Sequence, residues 1–296
     1  MVVTRPDDAP SDLGLPDLLH SLPCVIVAVE RSPDQAPALA DVTTEDGVAS
    51  LDDILSTVER NPVAAMSLVL RLREASTTIG RGLVAESAVY SLLLSGDEFR
   101  AWRASRPVRR GRPDMGSAVF VERNGNRLDL VLNRPQVRNA LSRDMRDALL
   151  EGLTLAMSDS SITEVVLRGQ GESFCSGGDL DEFATFTDPA SAHIVRLITS
   201  IGRAIGIVGP RLVAHVHGPC AGSGVELPAF ASQVEARSTF SARLPEVSMG
   251  LIPGAGGTVS ITRRIGRHRM ALLALSGASI NADIALRWGL VDRIVG

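Results

Sequence analysis

Two glutamates stand where an acid has no ordinary reason to be. Glu226 follows the small-residue turn "AGSG" within the otherwise apolar "VELPAF", and Glu246 lies in "RLPEVSMG" between Pro245 and an apolar run. Carboxylates on two separate loop ends can work as acid and base when their surroundings hold their pKa values apart. Simpler readings stay open at this point. A glutamate on a first helical turn can merely answer the helix dipole, worth roughly 0.3–1 kcal/mol, and most glutamates are surface charges.

The loops carrying these residues offer a second kind of chemistry. "CSGGD" (175–179) follows a strand and a polar turn; its small residues let a ligand approach the backbone, and Asp179 can cap the next helix. "GPCAGSGVEL" (218–227) follows another strand and opens a helix whose first amides favour negative charge. One amide from each loop could hold a carbonyl oxygen in an oxyanion hole, where losing a donor typically costs on the order of 10²–10³ in rate. Both loops also read as plain structural turns.

Other chemistries are weaker or excluded. His215 and His217 share one face of a strand, but no third ligand is evident, so no metal site is expected. Ser223 is not in a G-x-S-x-G turn, and no complete Walker or dinucleotide fingerprint is present. All thirty basic residues are arginine, which removes Schiff-base and phosphate-loop lysine chemistry. Cys175 and Cys220 read as small apolar filler; with Cys24 they make an odd, scattered set, expected to be reduced thiols of a cytoplasmic protein. A net charge of -4 with interspersed signs argues against nucleic acid as main partner. No membrane association is expected, because no apolar run looks long enough to span a bilayer.

Positioning these loops falls to an alternating pattern. "NRLDLVL", "TEVVLRG" and "PRLVAHVHG" read as strands, separated by a helix over "SRDMRDALLEGLTLAM" with Ser142 as its cap and a second helix over "SAHIVRLITSIGRAIGIV". Such alternation implies an α/β fold with a largely parallel, helix-covered sheet, which binds ligands in the connections after its strands. Upstream, "PCVIVAVE" reads as a strand and "LDDILSTVERN" as a helix capped by its aspartates; two further helical stretches, "PVAAMSLVLRLREAS" and "GLVAESAVYSLLLSGDEFRAWRAS", reach residue 105. Residues 1–20, acidic and proline-interrupted, read as a loose leader, and "SRPVRRGRPDMGS" (105–117) as a boundary. The division is thus 1–20, a mainly helical segment 21–110, and a core 111–296.

From about residue 118 onward the chain resembles the crotonase, or enoyl-CoA hydratase/isomerase, superfamily. The resemblance rests on "NRPQVRNALS" (133–142), "SFCSGGDL" (173–180), "HGPCAGSGVEL" (217–227), "LPEVSMGLIPGAGGT" (244–258) and "GASINADIALRWGLVDRIV" (277–295), in that order. It implies a spiral of ββα units binding an acyl-CoA, with an oxyanion hole from the Ser176 and Ser223 amides. Ser223 departs from the family's usual glycine, so its side chain should narrow the pocket or bond the substrate. The resemblance places the two catalytic acids on Glu226 and Glu246. It puts Arg138, Asn139, Ala140, Leu141, Gly178 and Asp179 along the CoA moiety. It implies 2-enoyl-CoA hydration, or double-bond isomerisation with Glu246 shuttling the proton, in a homotrimer or homohexamer. No cofactor is implied beyond the coenzyme A moiety of the substrate. A noncatalytic acyl-CoA-binding or assembly subunit is the reading from another class.

Members of this family continue past "GLVDRIV" into further helices, whereas residues 51–107 here resemble that tail. Two arrangements are compatible with this: a circularly permuted chain, with the tail helices moved to the front, or an unrelated N-terminal domain that regulates or recruits a partner.

Overall fold

A computed structural model describes residues 2–4, 21–29, 36–74, 78–107, 116–183 and 188–296. Strands β1 (Val2–Thr4), β2 (Ile26–Ala28) and β3 (Val42–Thr43) pair in parallel in that order. The leader is therefore not loose throughout: residues 2–4 gain a ladder, while residues 5–20 lie outside those described, as does most of the expected boundary (108–115). Asp41 ties this small sheet to the N-terminal helices. Its buried carboxylate accepts the Ile26 amide at 2.8 Å and two Arg73 nitrogens at 2.8 and 2.6 Å.

Helices α1 (Leu51–Arg60), α2 (Pro62–Arg73), α3 (Ile79–Leu94) and α4 (Asp97–Ala104) come next. α1 starts at Ser50, whose hydroxyl accepts the Asp53 amide while Asp53 returns to the Ser50 amide, so serine shares the cap expected of aspartates alone. Glu98 accepts the Val63 and Ala64 amides at 2.7 and 2.9 Å, satisfying first-turn donors of α2. Ile54, Ala64, Ala65, Leu68 and Val69 are fully buried and belong to the same apolar core as the rest of the chain.

The core proper runs β4 (Val119–Asn124), β5 (Arg127–Leu132), α5 (Arg143–Ser158), β6 (Glu164–Gly169), α6 (Pro189–Ile198), α7 (Ile201–Val208), β7 (Leu212–Val216), β8 (Pro219–Ala221), α8 (Ser223–Glu226), β9 (Gln233–Arg237), β10 (Ser241–Arg243), α9 (Gly257–Ser276), β11 (Ile280–Asn281), α10 (Ala282–Trp288) and β12 (Arg293–Val295). Six strands make one sheet in the order β12-β9-β7-β6-β5-β4, parallel except for the β4–β5 hairpin. β8 and β10 leave it for a second sheet, β11-β10-β8. Each strand pair β7–β8 and β9–β10 is followed by a helix, which is the crotonase ββα spiral. α5 covers the large sheet through Met145, Leu149, Leu153 and Ala156, buried at the three- and four-residue spacing of one helix face.

The single helix expected over 191–208 is two. Ser200 caps α7 by accepting the Arg203 amide at 3.2 Å, which breaks the run between α6 and α7. By length and composition alone Pro189–Arg211 is apolar enough to cross a membrane, contrary to the expectation from the sequence. Here it is broken at residues 199–200 and packs on α3 and α5.

Candidate active site

Parallel strands deliver their loops to one end of the sheet, where a cavity of about 280 Å³ opens. Ser223, Glu226, Glu246, Leu141, Gly178 and Asp179 line it, and so do Leu83, Glu86, Ser87, Tyr90 and Leu94 of α3. The N-terminal helical segment is thus one wall of the site.

Glu226 closes the one-turn helix α8 and is 2% exposed. Its Oε2 accepts the Ala255 and Gly257 amides, both at 2.8 Å, in the loop leading into α9. Glu246 is 7% exposed, and its Oε2 has no hydrogen-bond partner among the described residues. Two glycines make room for these acids. A Cβ on Gly222, where φ is +49°, would lie 2.5 Å from Glu246 Oε1, and one on Gly257 would lie 2.7 Å from Glu226 Cγ. The turn of small residues before Glu226 therefore serves Glu246 as well.

Glu86, which the sequence did not single out, is a third buried carboxylate here. It accepts the Gly256 amide at 2.7 Å on Oε1, and the Thr258 amide at 2.9 Å and hydroxyl at 2.7 Å on Oε2. Successive amides of the 255–258 loop thus alternate between Glu226 and Glu86. Its sequence signal was the one that marks Glu226, a lone acid within an apolar stretch ("GLVAESAVY"). Burial lifts all three carboxyls: Glu86 and Glu246 to about 7, and Glu226 well above the ordinary range, raised further by the charges of Glu246 and Glu86. Carboxylates lining one cavity oppose each other's ionisation, so protons are held in the site near neutrality.

The oxyanion donors differ from expectation. Ser223 opens α8, so its amide precedes any intrahelical acceptor, and the residue lines the cavity. Its hydroxyl turns towards Cys175 Sγ at 3.8 Å. The Ser176 amide is not a free donor: it bonds the Arg138 carbonyl at 2.9 Å, and Ser176 is absent from the residues lining the cavity. The physical cause is a backbone ladder between two loops, in which Leu141 also donates to Gly177 and Asp179 to Leu141, at 2.8 and 2.9 Å.

The residues expected along CoA divide in two. Leu141, Gly178 and Asp179 reach the cavity, whereas Arg138, Asn139 and Ala140 do not line it. Asn139, at φ +52°, accepts the Arg134 amide and donates to the Gln170 and Ser173 carbonyls, stapling loops together. Ala140 offers its carbonyl to Arg134, and Asp179 pairs with the same guanidinium at 3.3 Å. Arg138, at φ +53°, leaves its side chain exposed. Cys175 and Cys220 are buried, with thiols pushed up to about 11 and about 12, as filler requires. His215 faces Glu235 and His217 faces the Gly171 carbonyl; no group of three metal ligands exists among the described residues.

The chain is similar to known proteins in sequence and in fold. The family model described as enoyl-CoA hydratase/isomerase matches residues 122–296. The 2,3-dehydroadipyl-CoA hydratase of Escherichia coli K12 is 34% identical over 178 residues, 60% of this chain and 69% of that protein. A mevalonyl-coenzyme A hydratase of Aspergillus fumigatus is 35% identical over 173 residues, 56% of this chain and 62% of that protein. The crystal structure of an enoyl-CoA hydratase from Thermoplasma volcanium GSS1 superposes with a TM-score of 0.56 at 35% identity, covering 61% of this chain and 72% of that one.

Proposed function

The chain belongs to the enoyl-CoA hydratase/isomerase family, and on that footing we propose that it adds water across the double bond of a 2-enoyl-CoA. The observation that carries the reading is the pair of buried acids, Glu226 and Glu246, lining one cavity with Ser223. Hydration needs a base for water near C3 and a proton donor near C2. Glu226, oriented by two amides on Oε2, holds the water through its other oxygen. Glu246, with an unpartnered Oε2 free to face the substrate, delivers the proton to the α-carbon. The Ser223 amide steadies the enolate oxygen, and the Ser176 amide joins it once the thioester oxygen displaces the Arg138 carbonyl. Isomerisation, the alternative, would need only Glu246; two acids held against apolar loops favour hydration. Residues 51–104 take the place of the helices that follow the core in other family members, giving a permuted order. Their support is that α1–α3 pack on α9 and that α3 walls the cavity.

The test is turnover of matched 2-enoyl- and 3-enoyl-CoA panels by the purified chain. Hydration predicts loss of the 2-enoyl chromophore with formation of a 3-hydroxyacyl-CoA; conversion of 3-enoyl to 2-enoyl thioesters without hydration would contradict it.

A further inference from the structure

One side of the cavity, where α3 meets α6, carries a cation that neither the proposed hydration nor the fold requires. Arg196 of α6 lines the cavity, with its guanidinium carbon 4.5 Å from the centre of the Tyr90 ring. Nη1 donates to Ser91 Oγ at 2.8 Å and Ser87 Oγ at 3.3 Å, and Ser87 Oγ lies 2.9 Å from His193 Nδ1. Those are its polar contacts among the described residues. Nε and Nη2 have none there, and no described carboxylate stands within ion-pairing distance, whereas the guanidinium groups of Arg73 and Arg134 each hold one. Leu83, Ala192, Val195 and Ile201 line the same cavity.

A guanidinium remains charged under all ordinary conditions and presents its donors as a fixed fork matched to a carboxylate. Taking one out of water without an anion is costly, so the charge has to be answered. Burial lowers the Arg196 pKa, and the charge of Glu86 works against that at longer range. The fork itself is unspent, and it is already aimed by two serines and an aromatic face.

Resting on the acyl-CoA reading, we propose that the acyl group of the substrate carries an anion, a carboxylate remote from the thioester, and that Arg196 receives it. The CoA phosphates are the other source of the same chemistry. They suit exposed arginines such as Arg138 and Arg143 better than one partly buried beside Tyr90.

The experiment compares two 2-enoyl-CoA substrates of equal length, one ending in a carboxylate and one in a methyl group. The readout is the ratio of their kcat/KM values. Wild type should favour the carboxylate, and Arg196→Met should lower that ratio roughly 10- to 100-fold, the range for losing charge-assisted bonds. Arg196→Lys, which keeps the charge without the fork, should lower it less and serves if the methionine variant does not fold. Calorimetry with the corresponding saturated acyl-CoA pair, which cannot be hydrated, reads the same preference even if the protein is no hydratase. Absence of a carboxylate preference in wild type overturns the proposal, as does an unchanged ratio in Arg196→Met. Equal weakening of free CoA and both thioesters by that variant would assign the anion to the CoA phosphates instead.

Discussion

Replacing Glu86 with glutamine tests whether alternating carboxylates on the 255–258 loop set the site. Glu86 meets Gly256 N–H with one oxygen and Thr258 N–H with the other. Glutamine brings a single acceptor, so its NH2 must face one of those donors; even a protonated glutamate keeps a lone pair on its hydroxyl oxygen there. An unsatisfied buried donor costs about 1–3 kcal/mol. A pH-dependent contribution opposes this. The Glu86 pKa rises from 4.5 unfolded to about 7 folded, and a rise of that size corresponds to about 3 kcal/mol. With the folded value above the unfolded one, that stabilisation is full below pH 4.5 and is lost as pH rises through about 7. Glutamine has no such loss. In urea unfolding the variant should therefore be less stable by about 1–3 kcal/mol near pH 5, with the gap closing by about pH 8. Its kcat on crotonyl-CoA should fall roughly 10- to 100-fold, because the loop that aims Glu226 shifts. A variant with the wild-type pH slope of stability and the wild-type kcat would refute the reasoning.

Two further substitutions probe the supporting geometry. Gly222→Ala places a Cβ at φ +49°, 2.5 Å from Glu246 Oε1; thermal melts should show a loss of about 1–3 kcal/mol, and initial rates should fall as the acid is pushed aside. Asp179→Asn leaves the buried Arg134 guanidinium without its counter-charge, which should cost about 3–5 kcal/mol in urea unfolding, whereas an unchanged midpoint would mean the pair contributes nothing.

Local signals carried much of the fold into view. The alternation of strands and helices, the Ser142 cap and the loop after each strand all rest on neighbours in sequence, and all formed. Glu226 and Glu246 were legible because an acid in an apolar stretch demands a reason. Glu86 sent the same signal, but its partners lie about 170 residues away, so nothing nearby indicated what it served. Arg196 was hidden among thirty arginines, since only the packing of α6 on α3 brings it to Tyr90. The existing partner of the Ser176 amide was hidden for a related reason: its acceptor comes from the Arg138 loop, in a ladder that no local pattern encodes. The break between α6 and α7 turned on the capping of Ser200, a local signal that the continuous apolar periodicity outweighed.

The central claim is that Glu246 is the proton donor of a hydration reaction, and the most direct measurement is steady-state hydration of crotonyl-CoA by wild type and Glu246→Gln. Glutamine keeps the size of the side chain but cannot deliver a proton, so kcat should drop on the order of 10²–10⁴-fold, with KM little changed. Full activity in Glu246→Gln would contradict the account.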